Sequence, residues 1–182
     1  HAHPHAHPHA HPHAHDHEPE TRPDAPHGRR FSDIRAMLAS ASLPARAKDI
    51  ALRAFDLLAR AEGRVHGMPP QDVVFHEVGA VDSIVDIAGS VLGLHLLGIE
   101  EVWCTPATVG SGTVRGSHGE IPLPAPATLG LLQGFPVRQR DSGFELTTPT
   151  GAALATTLAR GFGTMPPMTI RAIGYGAGDE RP

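Results

Sequence analysis

The sequence lacks several features that would assign it to a common class of protein. It has a single cysteine, Cys104, in 182 residues, which excludes an internal disulfide and is typical of a reducing cytoplasm. Its 15 Lys and Arg are outnumbered by 19 Asp and Glu, so binding to a nucleic-acid backbone is not expected. No apolar run approaches the roughly 20 residues of a membrane span, and no signal peptide is visible. We therefore expect a cytoplasmic chain with no membrane and no nucleic-acid partner.

The glycine-rich residues 109–119 also lack the common nucleotide-binding motifs. They have no Gly-Lys-Ser/Thr ending, and no G-x-G-x-x-G opens a helix at the right offset. Two interpretations stay open, a pair of tight turns or a loop that contacts substrate. In the second, Arg115 would bind a phosphate or carboxylate through its guanidinium fork, and His118 would act as a donor or metal ligand.

What the sequence does have is histidine at every odd position of residues 1–17, alternating with Ala, Pro and one Asp. Proline in this alternation prevents a helix and favours an extended chain, so the imidazoles are free to gather around nickel, copper or zinc. An inert linker is the alternative. The candidate ligands are His1, His3, His5, His7, His9, His11, His13, His15 and His17.

The rest of the chain divides into a linker and one domain. We predict that residues 1–30 are a disordered, histidine-rich metal-binding tail and linker, and that residues 31–182 form a single domain. The chain has no initiator methionine and opens inside a low-complexity run, so we expect it to be a fragment of a longer protein.

Alternating helical and strand patterns predict an α/β or α+β fold, a single two-layer domain with a mixed sheet. The predicted helices are Asp33–Ser40 with Ser32 as its N-cap, Pro44–His66, Val81–Leu97, Pro126–Gln133 and Ala152–Arg160. The predicted strands are Val73–Phe75, Glu101–Thr105, a hairpin of Phe135–Gln139 with Phe144–Thr147, and Met168–Ile173.

The segment 75–90 combines polar groups with the most apolar part of the chain. His76 and Glu77 end a predicted strand, Gly79 marks a turn, and Asp82 and Asp86 lie four residues apart on the predicted helix. Gly89 and Gly93 continue the same side of this helix. The opposite, apolar side is predicted to contain Ile84, Val85, Ala88, Val91, Leu92 and Leu96.

Two interpretations of these polar groups are possible. Asp82 can complement the start of the helix and Glu77 can be solvated. Alternatively, since an unpaired buried carboxylate is costly, the group holds nickel, manganese, magnesium or zinc, with His76 or Glu77 as an acid or base. A zinc or manganese hydrolase would use the same cluster. His95 is predicted to be a packed core histidine, and Cys104 to be buried packing rather than a ligand for a soft metal.

Threonines precede the last predicted helix, in Thr147-Thr-Pro-Thr-Gly151. Thr148 or Thr150 can cap this helix. The free N–H groups of the same helix start can also bind an anion. Both roles stay open.

Several long strings, in order, resemble the LarC family, the nickel insertion proteins of nickel-pincer nucleotide cofactor synthesis. The resemblance runs from about residue 31 to residue 179, which is nearly all of the predicted domain. The strings are His76-Glu-Val-Gly-Ala-Val-Asp-Ser-Ile-Val-Asp86, Gly110-Ser-Gly112, His118-Gly119, Ile121-Pro-Leu-Pro-Ala-Pro-Ala-Thr128, Glu145-Leu-Thr-Thr-Pro-Thr-Gly-Ala-Ala153 and Gly174-Tyr-Gly-Ala-Gly178.

The resemblance implies a nickel chelatase of the lyase class. Nickel(II) would enter pyridinium-3,5-bisthiocarboxylic acid mononucleotide through one carbon–nickel and two sulfur–nickel bonds. CTP with manganese or magnesium would be required, and the product would serve lactate racemase-type enzymes. The implied assignments are His76, Glu77 and Asp82 as catalytic residues, His76, Asp82 and Asp86 as nickel ligands, and Arg115, His118, Thr148 and Thr150 as residues that bind the substrate phosphate.

Two departures from the family pattern concern its ends. A glycine-containing N-terminal segment and the C-terminal part associated with CTP binding are both absent, so we expect the CTP site to lie outside this chain. The chain alone would then hold nickel or the precursor without completing the reaction. The alternative function is a non-catalytic nickel storage or delivery module that acts through the histidine tail. A homo-oligomer is compatible with either function.

Overall fold

Five α-helices and eight short strands form the part of the chain described by the computed structural model, residues 28–75, 81–116 and 119–176. The helices are α1 Phe31–Ser40, α2 Ala45–His66, α3 Val81–Leu96, α4 Pro126–Leu131 and α5 Pro149–Leu158. The strands are β1 Arg29–Arg30, β2 Val74–Phe75, β3 Val102–Cys104, β4 Ala107–Val109, β5 Gly112–Gly116, β6 Gly119–Leu123, β7 Val137–Gln139 and β8 Ala159–Phe162. A 3₁₀ turn, Pro70–Asp72, precedes β2. The mixed helix-and-strand class predicted from the sequence is confirmed.

The long helix α2 lies at the centre of the fold and packs against the other four helices. Its buried residues recur at helical spacing and are mostly small, which lets neighbouring helices approach closely. Gly67 adopts φ +65° and ends the helix, as the sequence predicted, because a left-handed C-cap favours glycine. The buried residues of α2 are Ala47, Ala51, Ala54, Phe55, Leu58, Ala59, Ala61 and Gly63.

Three aromatic rings join α1, α2 and β2 in the core. The ring of Phe75 lies 6.4 Å from that of Phe31 and 6.3 Å from that of Phe55, measured between centroids. All three side chains are buried, and Phe55 is 0% exposed. Phe75 is the last described residue before 76–80, so this cluster anchors the chain where that segment begins.

The start of α1 differs from its prediction. The helix begins at Phe31, and Arg30 rather than Ser32 occupies the N-cap position. The Ser32 hydroxyl donates to the neighbouring Asp33 carboxylate at 3.5 Å instead of capping the helix. The reason is that β1 leads directly into the helix, and the Phe31 N–H donates to the carbonyl of Val73 at 2.9 Å.

The bounds of α3 agree with the prediction within one residue, but its apolar face does not. Ile87 is fully buried, whereas Val85 and Leu96 are 61% and 75% exposed. His95, predicted as a core residue, is exposed on the last turn. Because apolar residues surround much of this helix, their spacing alone does not determine which side faces α2 and α5.

Strand pairing among the described residues is mixed, in four two-stranded ladders. β1 with β2 and β5 with β6 are antiparallel, while β3 with β8 and β4 with β7 are parallel. The glycine-rich stretch is thus an antiparallel hairpin, β5–β6, rather than a pair of tight turns. The parallel pairs join segments far apart in sequence.

The predicted hairpin around Asp141-Ser-Gly143 does not form. β7 pairs with β4 instead, and residues 144–147 are not a strand. Side-chain hydrogen bonds take the place of the hairpin ladder, since Ser111 Oγ donates to Asp141 at 2.7 Å and Ser142 Oγ donates to the Phe144 carbonyl at 2.7 Å. These bonds direct residues 141–144 back towards the start of the β5–β6 hairpin.

The predicted strand Met168–Ile173 is also wrong. These residues form no strand, and Ile170 and Ile173 are 62% and 68% exposed. The strand after α5 is β8, which follows that helix without a loop and pairs with β3. Over the described residues, no helix is long and apolar enough to cross a membrane.

Candidate functional site

The carboxylates of Asp82 and Asp86 lie on the exposed side of α3, within its first two turns. Residues four apart are neighbours on a helix surface, so the two side chains form one acidic patch. Within the described ranges neither carboxylate takes part in a hydrogen bond or an ion pair. The cost of burying an unpaired charge therefore does not arise here, and the two oxygen donors are open to a ligand.

The partners predicted for this patch belong to other segments of the chain. His76, Glu77 and Gly79, together with His118 and the nine histidines of the tail, lie outside the described residues. Inside the described ranges, no three His, Cys, Asp or Glu side chains are close enough to hold a metal ion. A metal centre that includes Asp82 and Asp86 would therefore need donors from residues 76–80, from the tail or from the substrate.

Arg115 lies on the hairpin β5–β6, where its side chain is exposed. Glu120 is its cross-strand partner. The Glu120 carboxylate already accepts a hydrogen bond from the Thr113 hydroxyl at 2.7 Å. The hairpin thus presents a guanidinium beside a carboxylate, which weakens attraction for an anion relative to an isolated arginine.

The threonines before α5 have separate structural roles. Thr148 is the N-cap, and its hydroxyl accepts a hydrogen bond from the Gly151 N–H at 3.2 Å. The Ala152 N–H donates to the Thr148 carbonyl at 2.9 Å, and Pro149 has no N–H. Of the first-turn donors, the Thr150 N–H is left without an acceptor in its own helix. The capping role predicted for Thr148 is confirmed, and it uses up most of the anion-binding capacity of this helix start.

A cavity of about 430 Å³ opens beside this helix start, between β3, β4 and β8. Thr148, Gly151 and Cys104 are among its lining residues, and the Thr147 hydroxyl closes one side by donating to the Thr108 carbonyl at 2.6 Å. Burial raises the pKa of the Cys104 thiol, which therefore stays protonated at neutral pH. The half-buried position of Cys104 agrees with a packing role.

Replacing Thr148 by alanine should lower the free energy of unfolding by about 1 kcal/mol, because the Gly151 N–H loses its side-chain acceptor. Thr148→Ser keeps the acceptor and should leave stability within about 0.5 kcal/mol of the parent. Thr150→Ala, two residues further along the same helix start, is the control. Urea unfolding of the chain measures all three, and equal losses in Thr148→Ala and Thr150→Ala would show that the cap is not responsible.

Two histidines outside the predicted ligand set take ordinary positions. His66, at the end of α2, lies with Nε2 3.5 Å from a carboxylate oxygen of Glu62 one turn earlier. His95 lies in the last turn of α3 and lines a second cavity with Arg46 and Arg53 of α2. Sequence reasoning did not single out these arginines, because only the packing of α2 against α3 brings them near His95.

Comparison with known proteins assigns the chain to a family. A model described as "Nickel insertion protein" matches residues 3–182. The chain belongs to the nickel insertion protein family. Its match begins inside the histidine-rich segment and includes Asp82, Asp86, Arg115 and Thr148. The resemblance read from the sequence strings is thereby confirmed.

Individual members of the nickel insertion family are about half identical to this chain. The pyridinium-3,5-bisthiocarboxylic acid mononucleotide nickel insertion protein of Desulfitobacterium hafniense strain DCB-2 is 48% identical over 150 residues, which are 82% of this chain and 37% of that protein. A Geotalea daltonii protein, whose name also describes nickel insertion, is 52% identical over 157 residues, 86% of this chain and 40% of that protein. The chain thus spans about two fifths of the length of these curated relatives. No solved structure matches it.

Proposed function

We propose that this chain is the nickel-handling part of a protein that inserts nickel into pyridinium-3,5-bisthiocarboxylic acid mononucleotide. The observation that carries the proposal is the match to the nickel insertion family along residues 3–182, together with the printed name of the Desulfitobacterium relative. The exposed Asp82 and Asp86, which have no partner in the described residues, support it. They supply oxygen donors at the N-terminal end of α3, which follows His76 and Glu77 in the sequence.

Nickel insertion requires the protein to deliver nickel and to accept a proton. Nickel(II) must arrive on ligands that release it, and mixed carboxylate and imidazole ligands bind it more weakly than the two sulfurs of the substrate. A carbon–nickel bond then forms at the ring as a carbon–hydrogen bond breaks, so a base must accept one proton. We assign nickel delivery to His76, Asp82 and Asp86, and proton removal to His76 or Glu77.

The substrate phosphate needs a cationic or N–H donor site. Arg115 offers a guanidinium, His118 follows it along the chain, and the Thr150 N–H stays available at the start of α5 beside the Thr148 cap. The phosphate contacts are then separate from the nickel donors at the start of α3.

In the whole protein we propose that the reaction depends on CTP with manganese or magnesium, and that its product serves lactate racemase-type enzymes. The described residues do not fit a resident divalent metal, since no three suitable side chains come together there. The CTP site is assigned to the part of the longer relatives that this chain does not match.

The tail provides a test that separates insertion from nickel storage. Deleting residues 1–17 from the whole protein should remove most of the bound nickel, because nine imidazoles are lost. Product formation at excess nickel should be unchanged, because the proposed nickel donors for catalysis remain. Calorimetric nickel titration and mass spectrometry of the nucleotide product measure the two effects.

The storage function is favoured if nickel binding depends on the tail and no nickel-containing nucleotide forms. If deletion of residues 1–17 abolishes nickel binding and the whole protein, with or without the tail, forms no nickel-containing nucleotide, the insertion proposal is wrong. A tail of the same length with each histidine replaced by serine is the matched control, since it keeps the alternation with proline. Loss of product in this control would assign the tail itself a catalytic role.

A further inference from the structure

A second cavity, of about 350 Å³, lies between the first half of α2, the last turn of α3 and the end of α5. His95, at this cavity, follows Asp82 by 13 residues, which corresponds to about 20 Å along a helix. The cavity is therefore at the other end of α3 from the proposed nickel donors. Its volume is in the range of sites for small molecules.

Positive side chains line this cavity. Arg46 and Arg53 are seven residues apart on α2, so they occupy the same face about 10 Å from each other. His95 adds a ring N–H donor from α3. Each guanidinium has five N–H groups in a planar fork that suits phosphate oxygens.

Most of these donors are not consumed within the described chain. Arg46 uses one terminal nitrogen to donate a hydrogen bond to the Glu100 carbonyl at 3.0 Å. Arg53 places Nε 3.2 Å from an oxygen of Asp49. Glu100 is the acidic side chain among the lining residues. Because Asp49 offsets the charge of Arg53, anion binding in the cavity rests on the guanidinium N–H groups that remain unused.

The remaining wall combines apolar groups with one unsatisfied hydroxyl. Ile50, Val91 and Leu94 contribute apolar surface, which suits a heterocyclic ring. Thr157 lines the cavity from α5, and its buried hydroxyl has no hydrogen-bond partner in the described part of the chain. An unpaired buried hydroxyl is unfavourable, so a ligand oxygen would stabilise it once the side chains that cover it move aside.

We propose that this cavity binds a phosphate-bearing ligand of the nucleotide class, with Arg46 and Arg53 contacting phosphate oxygens and the apolar wall contacting a ring. The site is separate from the Asp82 and Asp86 patch and does not rest on nickel insertion. The nucleotide substrate and the nucleoside triphosphate share this chemistry, and the two are separated by experiment.

The first test titrates inorganic pyrophosphate into the full 182-residue chain and into Arg46→Gln/Arg53→Gln, followed by calorimetry. The double variant should bind at least about tenfold more weakly, because it loses two charge-assisted contacts. Arg60→Gln/Arg35→Gln is the matched control. Arg60 forms the same kind of i,i+4 pair with an aspartate of α2, and the double substitution removes the same charge as the cavity variant. The control should bind like the parent.

The proposal is overturned if the parent does not bind pyrophosphate or if the control loses as much affinity as the cavity variant. CTP and nicotinic acid mononucleotide are then titrated in competition with pyrophosphate. Stronger competition by CTP assigns the cavity to a triphosphate and overturns the assignment of the CTP site to the rest of the longer relatives. Stronger competition by the mononucleotide assigns the cavity to a substrate-like nucleotide and overturns the assignment of the substrate phosphate to Arg115. Failure of both to compete excludes a nucleotide ligand.

Thr157→Val distinguishes a binding role from a structural one. The substitution keeps the shape of the side chain and removes a hydroxyl that has no described partner, so thermal stability should be unchanged or slightly higher. Affinity for the competing nucleotide should fall several-fold. Unchanged affinity in a stable variant would remove Thr157 from the site and leave the two arginines as its proposed contacts.

Discussion

Asp82→Asn/Asp86→Asn in the whole protein should reduce formation of the nickel-containing nucleotide by at least about 10- to 100-fold, the loss typical even of residues that only support a metal ligand. Asparagine keeps the size of each side chain but removes both negative charges from the start of α3. Since the two carboxylates are exposed and make no hydrogen bond or ion pair within the described residues, the free energy of unfolding should change by less than about 0.5 kcal/mol. Mass spectrometry of the product and urea unfolding measure the two effects.

Asp33→Asn is the control for this double variant. Asp33 lies in the first turn of α1 and is also exposed, so its replacement removes a similar helix-start carboxylate away from the proposed donors. Product yield should stay at the parent level. Normal yield from Asp82→Asn/Asp86→Asn at limiting nickel would contradict the assignment of these residues to nickel delivery.

Phe55→Ala should lower the free energy of unfolding by about 3–5 kcal/mol, a large part of the stability of a domain of this size. Phe55 is fully buried on α2, and its ring is next to that of Phe75. Truncation removes apolar burial and leaves a cavity that the surrounding helices cannot fill. Urea unfolding of the chain measures the loss.

Leu57→Ala supplies the comparison on the same helix. Leu57 is 38% exposed, so much of its side chain already contacts water and its truncation should cost about 1 kcal/mol or less. Similar losses for the two variants would mean that the aromatic cluster is not the stabilising centre of the fold. Phe55→Leu, which retains most of the volume, should recover part of the stability.

Local sequence patterns predicted the long helices well. The bounds of α2 followed from its apolar spacing and from Gly67, and α3 ended within one residue of its predicted position. These signals involve residues within one or two turns of each other, so they act before any tertiary contact forms.

Strand pairing could not be predicted in the same way. β7 is three residues long and was assigned to a local hairpin, yet its partner β4 lies some thirty residues earlier. Such short strands carry too few alternating positions to specify a register, so the choice of a distant partner depends on tertiary contacts. The exposure of Val85 and His95 on α3 has the same origin.

The sequence identified the protein family, but it did not predict the geometry of the candidate site. Long motifs identified the nickel insertion resemblance, and the cap at Thr148 followed from a local pattern. By contrast, the cluster of Arg46, Arg53 and His95 is made by two helices that meet in space, and no local spacing connects these residues.

The parallel pair β3–β8 has a consequence for the order in which the chain acquires its structure during synthesis. Trp103 is paired with Gly161, so β3 emerges from the ribosome well before its partner exists. Until α5 and β8 have been made, β3 keeps an open edge and the face of α2 that packs on α5 stays uncovered. Nascent chains halted before residue 149 should therefore be protease-sensitive and should bind chaperones, whereas chains that have released residue 162 are able to close the fold.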